Sequence, residues 1–437
     1  MELPKKFAGE FKNLPPTKKL YYENAYLKEF DSEVIKKIET NGKILLVLKS
    51  TAFFGESGGQ EGDTGIIRGP NGVFRVVDTQ LFDEKIVVHI CEREEGDIKE
   101  GDIIHGIIDW DRRYILMRHH TASHLIFSAA REVLGVKRLI YKGVHIGVTE
   151  SRIDINYDEP ITPEQVFQIE ELANKVCFEN RPVRIFYMQR EEAEQKYGDK
   201  LGVTEVTPTG IVRVVEVEGW DVALCSGLHV KSTSEIGLVK IIERYKLKKG
   251  VQRIRFVAGP LAYKKYREII LKASNVARLL KTSIDELDVR VNDLLREINK
   301  LKNEVKKLKR RIIAYESEKL LEESEKVGPI RIAAKEIPDM DLRSLRDLAL
   351  RITRKNPDVV LILGSSNQKA CLVAVAGKNA VKVGVGLNKY LEELKDLLRA
   401  KGGGSPAMLQ LVGELPSKVG EAVKLLKEQV IKAIQGT

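Results

Sequence analysis

The stretch "HHTASHL", residues 119–125, places two histidines four positions apart in a segment that otherwise reads as helix. With 3.6 residues per turn, His120 and His124 share one helical face, and both imidazoles can converge on one point. That is a ligand geometry, and also a spacing that packed histidines reach by accident. A metal reading needs a second pair of ligands, and one other close pair occurs: "CSGLH", with Cys225 and His229. Three imidazoles and one thiolate suit tetrahedral Zn2+. His89, His105, His119 and His145 have no such partner nearby in sequence and read as structural.

The metalloprotease helix motif needs a glutamate directly after its first histidine as general base, and here that position is Thr121. Peptidase chemistry is therefore disfavoured. A zinc with four protein ligands also has no vacant position for an activated water, so the ion is structural or one ligand yields during turnover.

Around this pair the chain of 437 residues is too long for one ordinary core, which implies two to four domains. It is 43% hydrophobic and 31% charged, the balance of a folded and charge-rich protein. No apolar run approaches the roughly 20 residues that span a bilayer, and the N-terminus has no apolar signal core. The expectation is a cytoplasmic protein with no membrane partner and no DNA partner. Four scattered cysteines show no disulfide-like framework, which suits a reducing compartment. The net charge of +10 points toward a polyanion, or else describes a lysine-rich solvated surface.

Four regions follow from patterning, an α+β multidomain architecture. Residues 1–106 carry short β-type runs, among them "KILLVLKSTAFF", "GIIRGPNGVFRVVDTQLFD" and "KIVVHI", with Asn71-Gly72 as a hairpin turn, and predict a β-barrel. Residues 107–258 mix helix and strand: the histidine helix, a strand "VHIGVTESRIDINY", and a helix that Thr162 caps and Pro163 begins. In residues 259–327, Leu287, Val291, Leu294, Ile298, Leu301, Val305, Leu308, Ile312 and Tyr315 alternate steps of four and three, a heptad seam that must pair with another helix. The partner is the preceding helix or a second subunit. Residues 328–437 read as a C-terminal α/β domain, with "DVVLILGSS" and "KACLVAVAG" as buried strands. In it, Gly402, Gly403 and Gly404 permit close backbone approach to a ligand or phosphate, or form a flexible loop.

The stretch "TAFFGESGGQEGDTG", residues 51–65, adds a second constellation. Gly58 and Gly59 let the chain turn tightly, which brings backbone amides and the Gln60 amide toward a small ligand, while Thr51 supplies a hydroxyl. Taken alone, a Gly-Gly turn between strands is more often only a hairpin, with Gln60 a surface residue.

Together "TAFFGESGGQEGDTG", "RHHTASHLI" and "CSGLHV", in this order, resemble the editing domain of alanyl-tRNA synthetase and of the free-standing alanyl-tRNA editing proteins. The heptad helix and the glycine-rich C-terminal domain resemble the C-terminal part of the same synthetase. The resemblance implies that residues 107–258 share the fold of the threonyl-tRNA synthetase editing domain. It makes His120, His124, Cys225 and His229 the zinc ligands, sets Gln60 in the deacylation pocket, and turns Thr51 toward the seryl hydroxyl. It further implies tRNA(Ala) as partner, homodimerisation through the helical and C-terminal region, and deacylation of seryl-tRNA(Ala) and also of glycyl-tRNA(Ala). Two positions depart from the free-standing editors, Ser57 where glycine is typical and Leu228 where threonine is usual. No stretch resembles an aminoacylation core, so the expectation is the editing and C-terminal portion of a synthetase, with a free-standing trans-editing deacylase as the alternative.

Two readings of other classes stand beside it. One is a non-catalytic, zinc-stabilised tRNA-binding module. The other is a phosphoesterase, since the C-terminal domain also resembles one attached to DHH-type phosphoesterases. The nearest string to the Asp-His-His motif is Arg118-His119-His120, which lacks the carboxylate.

Overall fold

The computed structural model describes residues 8–40, 42–204, 209–366 and 368–436. The chain divides into two compact units, Met1–Ile284 and Asp285–Thr437. That boundary falls inside the segment 259–327, so the region read as one helical domain contributes one helix to each unit.

In the first unit, six strands close into an antiparallel barrel: β1 Glu29–Thr40, β2 Lys43–Leu48, β3 Gly65–Gly69, β4 Gly72–Phe82, β5 Ile86–Gly96 and β6 Ile103–Ile108. Their order around the barrel is β1-β2-β5-β4-β3-β6. Phe30, Leu46, Phe53, Ile67 and Phe74 fill it. The turn at Asn71-Gly72 joins β3 to β4, with Gly69 opposite Gly72. Strand β1 escaped the sequence reading. Its sequence "EFDSEVIKKIET" is charge-rich: Phe30, Ser32 and Val34 are buried, and Ile35 and Ile38 pack half-buried against a smaller cluster.

Strand β6 runs into α1, Trp110–Val133, whose N-terminus is capped by the Asp109 carboxylate accepting from the Arg112 amide at 3.2 Å. Nearly every side chain of α1 between Leu116 and Ala130 is buried. A helix apolar or small on all sides must sit inside, and α1 packs against α2, Pro163–Phe178, and against strands on either side. Helix α2 opens as its sequence demands: Thr162 and Gln165 form a reciprocal capping box at 3.2 and 2.9 Å, with Pro163 in the first turn.

The run "VHIGVTESRIDINY" is not one strand but a hairpin of β7, Tyr141–Ile146, and β8, Ser151–Asn156. Gly147 makes the corner, since a Cβ there would lie 2.8 Å from the Glu150 carbonyl oxygen. After β9, Val183–Gln189, come β10 Leu201–Gly202, β11 Ile211–Val217, β12 Asp221–Leu224, β13 Val239–Lys248 and β14 Val251–Ala258. They form two four-stranded sheets, β13-β14-β8-β7 and β9-β11-β12-β10. Helix α3, Pro260–Leu279, follows β14.

Barrel and helix are tied by a buried ion pair. Arg113 of α1 and Asp63, both fully buried, meet with Arg113 Nε 3.0 and 2.9 Å from the two carboxylate oxygens. The same guanidinium donates to the carbonyls of Ala25 and Ala52, while the carboxylate accepts the Phe54 amide.

Two buried histidines set a pH dependence. Burial pushes His89 down to about 4, against a smaller opposing effect of its hydrogen bond to the Leu46 carbonyl. Burial likewise pushes His119 down to about 4, and its ring bonds to the Gly147 carbonyl at 2.8 Å. The unfolded chain takes up these protons near pH 6.5 and the folded chain only near 4, so stability rises with pH between those limits. It is complete above about pH 6.5 and lost as pH falls toward 4, by roughly 2 kcal/mol per ring between pH 7 and 5. Urea midpoints at pH 7 and 5 test this. His89→Gln should remove about half of the loss, and a variant with the full wild-type loss would refute the assignment.

The second unit opens with α4, Leu287–Glu322. Its seam residues Val291, Ile298, Leu301, Val305, Leu308, Ile312 and Tyr315 are exposed, and the coiled coil that the heptads predict is not formed by them within this unit. Only near its C-terminal end does α4 reach the unit's core, through Leu320. The domain carries a six-stranded sheet of β15 Glu325–Val327, β16 Ile330–Glu336, β17 Val359–Ser366, β18 Ala370–Ala376, β19 Ala400–Ser405 and β20 Met408–Gly413. Its order is β15-β16-β17-β18-β20-β19. Helix α5, Leu342–Lys355, links the parallel pair β16 and β17, and α6, Leu391–Leu398, and α7, Val419–Gln435, cover the sheet. Gly402, Gly403 and Gly404 correct the sequence reading: they are not a loop but the middle of edge strand β19, paired with Leu411, Gln410 and Leu409. Antiparallel pairing to β20 satisfies one side of their backbone, which orders a stretch whose composition alone suggests flexibility.

Candidate metal centre

Helix α1 presents His120 and His124 side by side, with ring centroids 5.9 Å apart. Cys225 and His229 follow β12 on the loop "CSGLH". The ligand atoms of all four lie within 4.8 Å of one another, a group that can hold a metal ion. Cys225 Sγ stands 3.2 Å from His120 Nε2 and 3.3 Å from His229 Nε2. Tetrahedral bonds of about 2.3 Å to sulfur and 2.0 Å to nitrogen place those atoms roughly 3.5 Å apart. The three histidines are buried, and Cys225 is half-buried.

Each imidazole is held by its other nitrogen. His120 Nδ1 meets Gln60 Oε1 at 2.7 Å, His124 Nδ1 meets Asp221 Oδ2 at 2.8 Å, and His229 Nδ1 meets Thr121 Oγ1 at 3.2 Å. Thr121 donates its own proton to the Met117 carbonyl, so toward His229 it accepts. In all three rings Nδ1 is thereby engaged by an outer partner and Nε2 is the nitrogen left to face the other donors, the arrangement found behind metal-bound histidines. The donor set and its backing fit Zn2+.

The electrostatics agree. Burial alone would raise the Cys225 thiol, but His120 and His229 beside it, with hydrogen bonds from His120 and His124, hold it well below the usual thiol value. A thiolate at this position is a ligand in waiting. Burial disfavours charge on His124, yet the Asp221 carboxylate and Cys225 carry it up to about 10, so an incoming metal must displace a proton from its Nε2.

Gln60 lies behind the cluster, not in front of it. It is fully buried, and its Oε1 accepts from both His120 and the Leu228 amide. Leu228 is itself fully buried. Thr51 is also fully buried; its hydroxyl donates to His89 Nε2 at 2.8 Å and accepts the Phe53 amide at 3.1 Å, so it faces the barrel interior. Neither residue lines the cavity beside the metal ligands. Asp221, Thr121 and Ser128 are the site residues that sequence reading missed. Asp221 sits four residues before Cys225, and a carboxylate that close to a ligand pair was the available signal. Ser128 donates to its second oxygen.

A cavity of about 880 Å³ opens over the cluster. His120, His124 and Cys225 form one wall, and Ser57, Gly58 and Gly59 another. The glycines are obligatory. Gly58 and Gly59 have φ of +59° and +80°, and a Cβ on them would lie 2.5 Å from Ser226 Oγ and 2.5 Å from the Val144 carbonyl oxygen. A Cβ on Gly227 would stand 1.9 Å from His120 Cε1, so the loop can approach the ring only as glycine. Arg213 fastens the loop by donating to the carbonyls of Cys225 and Gly227 at 2.7 and 2.9 Å.

Three family profiles match the chain: "tRNA synthetases class II (A)" over residues 4–112, the "Threonyl and Alanyl tRNA synthetase second additional domain" over 212–255, and the "DHHA1 domain" over 330–432. The first falls mainly on the barrel and the second on the sheets and loop that carry Cys225 and His229. Among curated relatives, the alanine--tRNA ligase of Methanosarcina barkeri is 36% identical over 97% of this chain and 46% of its own length. That of Sulfurisphaera tokodaii is 41% identical over 68% of this chain and 32% of its own. The chain thus spans less than half the length of these relatives. Taken with the site, these matches make the chain an alanyl-tRNA synthetase-derived protein that carries editing and C-terminal regions.

Proposed function

We propose that this chain hydrolyses the aminoacyl ester of mischarged seryl-tRNA(Ala), and of glycyl-tRNA(Ala), in the cavity beside the His120, His124, Cys225 and His229 cluster. The observation that carries this reading is the cluster itself: four soft and imidazole donors, three of which, His120, His124 and Cys225, line a cavity large enough for an aminoacylated nucleoside.

An aminoacylation pocket shaped for alanine discriminates against one added hydroxyl by only about 1–3 kcal/mol, so errors need a second site. Zinc held by these residues would supply Lewis acidity toward a carbonyl oxygen once one of the four ligands yields its place. The backbone at Gly58 and Gly59, which lines the cavity, orients the ester carbonyl and its developing oxyanion. Gln60 acts through His120, fixing its ring, as Asp221 does for His124 and Thr121 for His229. No nucleophilic side chain is required, because water attacks the ester.

The tRNA body is held by basic surface of the helical and C-terminal regions, chiefly through phosphates. The exposed seam of α4 pairs with its copy in a second chain, giving a homodimer.

One specific feature favours a second reading. With four protein ligands the site can remain closed, which would leave zinc a staple in a tRNA-binding module. Hydrolysis of seryl-tRNA(Ala) beside alanyl-tRNA(Ala) by the zinc-loaded protein separates the two. Rapid loss of the seryl ester alone is expected. Survival of both esters in a folded protein that binds tRNA would establish the module instead.

A further inference from the structure

With Thr51 turned into the barrel and bonded to His89, the cavity lacks the hydroxyl that sequence assigned to recognising serine. Other hydroxyls, among them Ser57, Ser123 and Ser226, line the cavity, but among the described residues Tyr141 is the lining side chain whose hydroxyl is buried and unpartnered. It lines the cavity, is only 6% exposed, and its phenol oxygen is buried without a hydrogen-bond partner among the described residues.

The ring has no freedom to search for a partner. Tyr141 begins β7, where its amide donates to the Val203 carbonyl at 3.2 Å and its backbone pairs with Ile155 of β8. Its ring stacks on Phe127 of α1 with centroids 3.8 Å apart and planes at 14°, and it lies 6.5 Å from the His124 ring. Burial, then the nearby Asp221 carboxylate and Cys225, hold the phenol well above its usual value, so the oxygen keeps its proton and remains a donor. No hydrogen bond joins the phenol to Asp221, whose oxygens accept from His124 and Ser128.

A buried donor left unpaired costs about 1–3 kcal/mol, a penalty that folding tolerates where a ligand relieves it. We infer that the Tyr141 phenol donates to the side-chain hydroxyl of the aminoacyl group, and so selects a small β-hydroxy amino acid over one that lacks the hydroxyl. The inference rests on the ester-hydrolase reading above and adds its specificity-determining residue. An alanyl ester leaves the phenol unpaired and binds more weakly, whereas glycyl ester must be removed without this contact.

The test uses the zinc-loaded full chain and two non-hydrolysable probes, 3′-seryl- and 3′-alanylamino-3′-deoxyadenosine, titrated by calorimetry into wild type and Tyr141→Phe. Wild type should favour the seryl probe by about 10- to 100-fold, the range of one unpaired buried donor. Tyr141→Phe should bring that ratio close to 1 by weakening the seryl probe alone. Zinc content should not change, and the melting temperature should hold or rise, because the variant removes an unpaired hydroxyl and nothing else. Equal weakening of both probes, an unchanged ratio, or loss of zinc or of stability would each overturn the inference. Wild-type protein that binds neither probe would overturn the hydrolase reading itself, and this inference with it.

Discussion

His124→Ala is expected to lose its zinc and, with it, at least about 100-fold of seryl-tRNA(Ala) deacylation. Outer partners of metal-bound histidines are themselves worth 10- to 100-fold, and a ligand is worth more. The geometry sharpens the expectation. His124 is buried and bonded through Nδ1 to Asp221, so its removal leaves a buried carboxylate that keeps only Ser128 of these two partners. Asp221→Asn should therefore act in the same direction, by about 10- to 100-fold in metal affinity. Cys225→Ala should match His124→Ala, since its Sγ lies within 3.3 Å of two ligand nitrogens. Gly227→Ala should disable the site by a different route, forcing the loop away from His120. Zinc assay and single-turnover deacylation, run together on each variant, decide the matter. If Cys225→Ala retained both zinc and full rate, the ligand assignment would fall.

Asp63→Ala should cost about 3–5 kcal/mol of stability. The cost of removing one partner from a buried ion pair is that the other charge remains buried without compensation. Arg113 would keep its bonds to the carbonyls of Ala25 and Ala52 but lose its only carboxylate among the described residues. The Phe54 amide would lose its acceptor as well. The pair joins the barrel to the helix that bears His120 and His124, so the damage should reach the metal site. A urea titration of wild type and variant measures it, and a change under about 1 kcal/mol would show that the pair is not a tie. The double variant Asp63→Leu, Arg113→Met should recover part of the loss, because an apolar pair leaves no naked charge.

The cluster that can hold a metal was legible because each of its pairs is local. His120 and His124 are brought together by helical periodicity, and Cys225 and His229 by a four-residue loop, so spacing alone reports both. The barrel hairpin at Asn71-Gly72 and the Thr162–Gln165 cap were legible for the same reason. Strand β1 was not, since its charged residues interrupt the apolar ones that would mark it. The triple glycine of β19 misled in the opposite sense: composition reads as a loop, and only pairing with β20 makes it a strand.

By itself, then, the sequence determined the candidate ligand set, the glycines that let the chain crowd around it, and the kinship with alanyl-tRNA synthetases. Tertiary structure decided what those groups face. Gln60 lies 60 positions from His120 and Asp221 lies 97 from His124, separations across which no periodicity carries information. It also turned Thr51 toward His89 and left Tyr141 facing the cavity. Short-range order follows from backbone geometry that each residue carries with it. The partner of a buried polar group depends on which distant segments the packed core brings within about 3 Å, and that is settled only when the whole domain folds.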